Sequence, residues 1–220
     1  MEDAKESEIR CIFRRINKYS FPLNAQELRN ARFEGKFIQT IEKIGENSFW
    51  INSGIFSAND FRRMLDLEYI GILLSTLICG ISNRQDRLDE CYVQYEKEFE
   101  QANDYIEKFK NNIKIIERVI PEIRKTNWST KSNFFTLFVV VDQLKIDYQN
   151  KETLQRVQQG LDSFMVNVEE ARLDQSQIHP PFTEYSEASR VATNDKENRL
   201  RRHKILSEFL KNVISNASSQ

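Results

Sequence analysis

The sequence has few residues that bind metals or form disulfides. Its only histidines, His179 and His203, do not form a pair at the spacing of a zinc site. The three cysteines, Cys11, Cys79 and Cys91, include no Cys-x-x-Cys pair, and their odd number is typical of a protein kept in a reducing compartment. We therefore expect neither a metal site nor a disulfide framework, and we interpret the cysteines as buried apolar residues.

Glycine, proline and net charge are also low. Six glycines and four prolines in 220 residues favour long helices with few tight turns. The 32 basic and 33 acidic residues nearly cancel, so a contact with DNA would need a local basic patch. The most apolar run, residues 69–81, is too short to span a bilayer, and the charged stretch 1–15 does not resemble a signal peptide. We expect a cytoplasmic protein without a membrane segment.

Apolar residues recur at helical spacing along most of the chain, which predicts an all-α fold, a bundle of about seven or eight helices. We expect these helices over 6–18, 25–33, 37–44, 61–79, 85–120, 133–146, 152–173 and 197–214. The stretch 85–120 predicts one very long charged helix, or two nearly collinear ones. The run Phe134–Val141 would suit a buried strand by composition, but its neighbours are helical, and we predict a buried helix. Asn24 is the expected N-cap of the second helix.

The first fifty residues carry the most specific pattern. Phe-Arg-Arg-Ile-Asn at 13–17 is followed, after a Tyr-Ser-Phe-Pro turn, by Leu-Asn-Ala-Gln-Glu-Leu-Arg-Asn-Ala at 23–31. This block resembles the second half of the ParB/sulfiredoxin-like nucleotidase domain of GmrS-type restriction proteins, in which Phe-x-Arg-x-Asn leads into Leu-x-x-Gln-Glu-Leu-Arg-Asn-Ala. Weaker blocks follow in the family's order, at 49–50, 61–64, 88–95 and 198–206.

The resemblance implies a helical body that follows a nucleotidase core. Full-length relatives bind or hydrolyse nucleoside triphosphates and work with an HNH-type nuclease to cut modified foreign DNA. The family's Asp-Gly-Gln-Gln-Arg motif is absent from these 220 residues, as is a His-Asn-His constellation. We therefore expect no catalysis and no cofactor for this chain alone, with nucleoside triphosphate and Mg²⁺ entering only with a complementing core. We divide the chain into a nucleotidase remnant (1–50), a helical bundle domain (51–215) and a disordered tail (216–220).

The same resemblance provides candidates for a nucleotide pocket. They are Arg14, Arg15, Asn17 and Arg29. An arginine suits this role because a guanidinium offers a phosphate two donors at once. The alternative is that the arginines of the first helix are surface charges and that Asn17 simply ends that helix.

Two further groups of polar residues invite a functional or a structural interpretation. Gln26, Glu27 and Asn30 are expected to form a structural polar network, with Glu27 paired to an arginine. The last helix carries a basic strip of DNA-contact candidates: Arg199, Arg201, Arg202, His203 and Lys204. These cations would equally serve as partners for the acidic body of the protein.

The resemblance implies that this chain is the helical domain of a GmrS-like restriction or phage-defence protein. It would support nucleotide-dependent cleavage of foreign or modified DNA with a nucleotidase core or an HNH-type nuclease from another chain. One alternative is a helical protein–protein adaptor from a split or truncated gene; another is an enzyme completed by a core in trans. Exposed apolar residues in the first helices would indicate a missing partner. Homo-oligomerisation stays open.

Overall fold

The computed structural model describes residues 22–83, 86–173 and 180–215, and in these ranges it is built from helices and turns without a strand. The helix expected at 6–18 and the tail at 216–220 lie outside the described residues. The helices are α1 (Ala25–Arg32), α2 (Lys36–Gly45), α3 (Phe49–Asn52), α4 (Ala58–Arg62), α5 (Leu65–Cys79), α6 (Asp86–Gln94), α7 (Ala102–Val119), α8 (Lys131–Gln143), α9 (Lys151–Leu173), α10 (Pro180–Ala188) and α11 (Lys196–Ser215). Two 3-10 turns, Ile123–Lys125 and Asn127–Ser129, precede α8.

The all-α prediction is confirmed, but the described chain has eleven α-helices rather than seven or eight. The additional helices are short. The helix expected over 61–79 is divided, because Ser57 caps α4 through Asp60 and Met64 then adopts a positive φ of 53° before α5 begins. Short capped helices of this kind fall below the length at which hydrophobic periodicity is informative.

The expected long charged helix is interrupted at residues 95–101, which separate α6 from α7. The carbonyl groups of Tyr95 and Glu96 accept hydrogen bonds from the backbone N–H groups of Phe37 (3.2 Å) and Lys36 (3.1 Å), so they serve the first turn of α2. Gly35 permits this approach, since a Cβ atom there would lie 1.9 Å from the carbonyl oxygen of Glu96. Phe99 lies within the break and is still buried. The apolar spacing of the sequence therefore continues across the break without a gap.

One hydrophobic core extends from α2 to α11. On one side α2 packs against α5 and α7; on the other, α9, α10 and α11 pack against one another. Helix α8 joins the two sides by contacting α5, α7 and α11. Its run of aromatic and β-branched residues is buried throughout, which confirms the prediction of a buried helix rather than a strand.

Two aromatic residues close the core between α2 and α4. Phe49 is 3% exposed and Trp50 is 1% exposed, and the Trp50 indole N–H donates to the carbonyl oxygen of Ile44 at 3.0 Å. Side chains on both sides of residue 50, the expected domain boundary, belong to the same core, for example Ile41 and Phe134. The division at that residue stays a prediction.

Candidate functional site

Helix α1 begins where the sequence predicts, and its cap also ties it to the bundle. The Asn24 side chain accepts hydrogen bonds from the backbone N–H groups of Gln26 and Glu27, and the Glu27 carboxylate accepts one from the N–H of Asn24. The Asn24 amide donates to the carbonyl oxygen of Arg63 at 2.7 Å. The N-cap thus orients α1 against the start of α5 as well as starting the helix.

Arg29 is held inside the protein by two carboxylates. It is 7% exposed, its Nε donates to Oδ1 of Asp89 at 2.7 Å, and its Nη1 lies 3.4 Å from Oε1 of Glu68, which is 4% exposed. Its guanidinium carbon also lies 5.9 Å from the centre of the Tyr92 ring. A phosphate would have to compete with these carboxylates, so the arrangement favours an anchoring role over nucleotide binding for this candidate.

The predicted polar network occupies the inner side of α1. Gln26 is fully buried, and its Nε2 donates to Tyr92 Oη at 2.8 Å and to Asn30 Oδ1 at 2.7 Å. Glu27 accepts a hydrogen bond from Arg63 Nη2 at 3.1 Å, so its pairing with an arginine is confirmed. Burial raises the pKa of Tyr92 to about 12, although its hydrogen bond with Gln26 acts in the opposite direction. The phenol is therefore neutral at physiological pH.

The outer side of α1 is apolar and open to solvent. Leu28 is 44% exposed, and Val93 on α6 is 64% exposed. They border a groove of about 280 Å³ whose lining residues are Ala25, Leu28, Arg29, Arg32, Phe33, Asp89 and Val93. We name this feature the α1/α6 groove. Its exposed apolar side chains are Leu28 on α1 and Val93 on α6.

The remaining nucleotide-pocket candidates, Arg14, Arg15 and Asn17, lie outside the described residues. Of the four candidates, only Arg29 lies in the part of the chain that the structure describes.

The basic strip predicted on α11 does not form one solvent-facing surface. Arg201 and Lys204 are exposed and His203 is partly buried, but Arg199 is 3% exposed and Arg202 is fully buried. The two buried arginines share a face with Leu206 and Leu210, at helical spacing, and this face packs into the bundle. A DNA backbone on the surface would not reach them.

The inward face of α11 therefore includes two arginines, whereas Leu200 on the same helix is 43% exposed. Arg199 stacks over the Phe135 ring, with its guanidinium carbon 4.3 Å from the ring centre, and donates to the carbonyl oxygen of Ser82 at 3.0 Å. The only signal for this in the sequence is the three-residue spacing of Arg199 and Arg202 in line with Leu206.

The cysteines differ in exposure. Cys91 is buried, as expected, whereas Cys79 is exposed, because it is the last residue of α5 and lies beyond the packed part of that helix. The expectation of a buried Cys79 is therefore wrong, and Cys11 lies outside the described residues. Burial, followed by the proximity of Cys79, raises the pKa of the Cys91 thiol to about 12. Within the described ranges, His, Cys, Asp and Glu do not gather in a group of three able to hold a metal ion.

Comparison with protein-family models, with curated proteins and with solved structures gives no match to this chain. The described helices are each too short or too polar to cross a bilayer.

Proposed function

We propose that this chain is the helical domain of a GmrS-like restriction or phage-defence protein. In this role it performs no catalysis by itself, and it supports nucleotide-dependent cleavage of foreign or modified DNA by docking a nucleotidase core or an HNH-type nuclease. The observation that carries the proposal is the α1/α6 groove, an apolar surface beside the helix that bears the Gln-Glu-Leu-Arg-Asn-Ala block.

The two sides of α1 support this proposal in different ways. Toward the bundle, Gln26 and Arg29 bind Tyr92, Glu68 and Asp89, so the helix has a fixed position. Toward solvent, Leu28 on α1 and Val93 on α6 line the groove. A helix that is fixed on one side and apolar on the other is suited to present a constant surface to a partner.

The charged rim of the groove adds specificity to such a contact. Arg32 and Asp89 lie at its edge. Asp89 accepts a hydrogen bond from Arg29, and its side chain is still 60% exposed. Charges at the rim of an apolar contact select partners and orient them more than they add affinity. A core docked here would take its nucleotide and Mg²⁺ from its own catalytic residues, with Arg14, Arg15 and Asn17 as this chain's contribution to the pocket.

The experiment is to measure nucleoside triphosphate hydrolysis by the purified chain alone, and then with a core protein bearing Asp-Gly-Gln-Gln-Arg encoded beside its gene. The proposal expects no hydrolysis alone and activity in the mixture above that of the core by itself. Hydrolysis by the chain alone would contradict the non-catalytic assignment. A core whose activity is unchanged by the chain, and which does not bind it, would contradict the docking role.

The contacts of Arg29 with two carboxylates support a second function. Its guanidinium is already occupied by Asp89 and Glu68, which favours a structural role for the whole polar block. This supports a helical adaptor that acts through protein contacts without a nucleotide. In the same experiment, the adaptor would bind its partner and leave hydrolysis unchanged.

A further inference from the structure

Arg202 on α11 is a fully buried cation, and its hydrogen-bond acceptors within the described ranges are all neutral. Its Nε donates to Oγ1 of Thr136 at 3.0 Å, its Nη2 to the carbonyl oxygen of Thr193 at 2.9 Å, and its Nη1 to the carbonyl oxygen of Ala188. A guanidinium has five N–H groups, so two remain after these bonds. No carboxylate in the described part of the chain pairs with it, although buried arginines are nearly always paired with an anion.

The neighbouring phenols do not supply the negative charge. Tyr69 and Tyr185 are acidic groups that lie close enough to Arg202 to affect its pKa. Burial raises the pKa of both phenols far above neutral pH, so both are uncharged. Burial also lowers the pKa of Arg202, but a guanidinium stays protonated in proteins. This part of the core therefore holds a positive charge without a counterion from the described residues.

Arg202 lines a cavity of about 150 Å³ between α5, α8 and α11, which we name the Arg202 cavity. Its lining includes Lys131 and Ser132 from α8, Thr193 and Asn194 from the loop before α11, and Arg199 beside Arg202. Lys131 and Asn194 are exposed and mark its opening to solvent. Three cationic side chains thus border one small space, which has room for several water molecules or one small ion.

Lys131 has a carboxylate neighbour of its own. Its Nζ lies 2.6 Å from Oδ1 of Asp60. Burial opposes ionisation of Asp60, but hydrogen bonds from Lys131 and Ser57 outweigh this effect and lower its pKa. Asp60 therefore occupies one of the three N–H donors of Lys131 and leaves two for an anion at the opening. Arg202, deeper in the cavity, has no carboxylate partner among the described residues.

We propose that the Arg202 cavity binds a small tetrahedral oxyanion, either inorganic phosphate or the phosphoryl group of a phosphomonoester. Arg202 would supply two charge-assisted N–H donors, and Lys131 would supply a third at the opening. The first turn of α8 would add backbone N–H donors, since its N-cap residue, Thr130, makes no side-chain capping bond. The Ser132 hydroxyl in that turn donates to the carbonyl oxygen of Ser189 at 3.3 Å. The cavity is smaller than the pockets that enclose whole nucleotides, so the rest of a phosphomonoester would extend into solvent past Lys131 and Asn194.

The loop before α11 gives the cavity a fixed wall. Ala192 has a positive φ of 45°, an uncommon conformation for a residue with a Cβ atom. This loop brings the carbonyl oxygen of Thr193 to Arg202 and places Asn194 at the opening. The proposal is independent of the function proposed above, because the Arg202 cavity and the α1/α6 groove share no lining residue.

The test is isothermal titration calorimetry of the full chain with inorganic phosphate, at an ionic strength held constant with chloride. We expect a Kd on the order of 1 mM, the range for one small ion held by a few charged donors. Lys131→Gln should weaken binding by about tenfold. Lys204→Gln is the matched control, since Lys204 is exposed on α11 and does not line the cavity, and it should leave the Kd unchanged.

A second variant separates loss of binding from loss of folding. Ser132→Asp places a carboxylate in the first turn of α8 and on the wall of the Arg202 cavity, where it would act as the missing counterion. We expect this variant to have a higher Tm than the wild type and no detectable phosphate binding. Phosphate binding by Ser132→Asp equal to the wild type would overturn the proposal. So would equal weakening by Lys131→Gln and Lys204→Gln, which would indicate general attraction to surface charge.

The source of the oxyanion is distinguished by a parallel titration with adenosine monophosphate. Equal affinities for phosphate and the nucleotide would support a phosphomonoester whose organic part lies outside the cavity. Binding of phosphate alone would support the free ion. Binding of neither, above the heat of a chloride titration, would overturn the proposal.

Discussion

Arg29 and Asp89, sixty positions apart in sequence, join α1 to α6 through a hydrogen bond of 2.7 Å from Nε to Oδ1. The same guanidinium approaches Glu68 on α5, so one side chain connects three helices. The Gln-Glu-Leu-Arg-Asn-Ala block thereby acts as the attachment of α1 to the bundle. This position leaves Leu28 facing outward.

Arg29→Met should therefore lower the free energy of unfolding by about 3 kcal/mol, because it removes one partner of a buried ion pair. Arg32→Met on the same helix is the control. Arg32 is exposed and should contribute less than about 0.5 kcal/mol. Urea denaturation of both variants measures the difference, and equal stability of the two would contradict the anchoring role.

Gly35→Ala should separate the first turn of α2 from residues 95–96. The added Cβ atom would lie 1.9 Å from the carbonyl oxygen of Glu96, which is backbone and has little room to move. We expect a loss of about 3 kcal/mol in unfolding free energy. Glu34→Ala, at the exposed neighbouring position, should change it by less than about 0.5 kcal/mol. Thermal unfolding monitored by circular dichroism compares the two variants, and a Gly35→Ala protein as stable as the wild type would show that this contact is loose.

Trp50 and Ile51 provide a matched pair in adjacent positions. Trp50 is 1% exposed and bonded to the carbonyl oxygen of Ile44, whereas Ile51 is 71% exposed. Trp50→Ala should cost about 4 kcal/mol through the cavity that it leaves, and Ile51→Ala should cost less than about 0.5 kcal/mol. Chemical denaturation measures both values. A small loss for Trp50→Ala would show that this residue does not close the core.

The thiols of Cys79 and Cys91 should differ in reactivity. Burial raises the pKa of Cys91 to about 12, which lowers the fraction of reactive thiolate at pH 8 to about one molecule in ten thousand. Cys79 is exposed. Iodoacetamide at pH 8 should modify Cys79 in the native protein and leave Cys91 unmodified until the chain is denatured, as followed by peptide mass spectrometry. Equal labelling of both native thiols would contradict this burial.

The same shift has a consequence for stability at high pH. The pKa of Cys91 is higher in the folded than in the unfolded protein, so its contribution to stability is complete below about pH 9 and is lost as pH rises toward 12. Tyr92, whose pKa is also raised to about 12, adds a loss above about pH 10. Denaturation midpoints measured from pH 8 to pH 11 should fall, and Tyr92→Phe should reduce the fall. A midpoint that is constant over this range would contradict the buried environment of both groups.

Much of the fold is predictable from sequence because helix caps and apolar spacing are local signals. Asn24 is recognisable as an N-cap from its position before Ala25, and the run Phe134–Val141 is recognisable as helical from its helical neighbours. The break after α6 is not predictable in this way. It depends on backbone groups near Gly35, about sixty residues away in sequence, and the apolar pattern passes through it unchanged.

The candidate sites depend even more on contacts between residues that are distant in sequence. Glu27 could be matched with an arginine in advance, but its identity as Arg63 depends on the fold. By their position in the sequence, Arg199 and Arg202 belong to the basic strip on the last helix, with Arg201, His203 and Lys204. Their burial follows from their alignment with Leu206 on α11 and from the neutral oxygens that meet them inside, which local sequence does not specify.

The central claim, that the α1/α6 groove docks a nucleotidase core, is tested most directly by measuring core binding and hydrolysis with the variant Leu28→Asp/Val93→Asp. Both residues are exposed, so the variant should fold as the wild type does, which circular dichroism verifies. Val166→Asp, at a position on α9 that is 56% exposed, is the matched control. The account predicts that the double variant loses core binding and stimulated hydrolysis while the control retains both. Full binding and activity by a folded Leu28→Asp/Val93→Asp protein would contradict it.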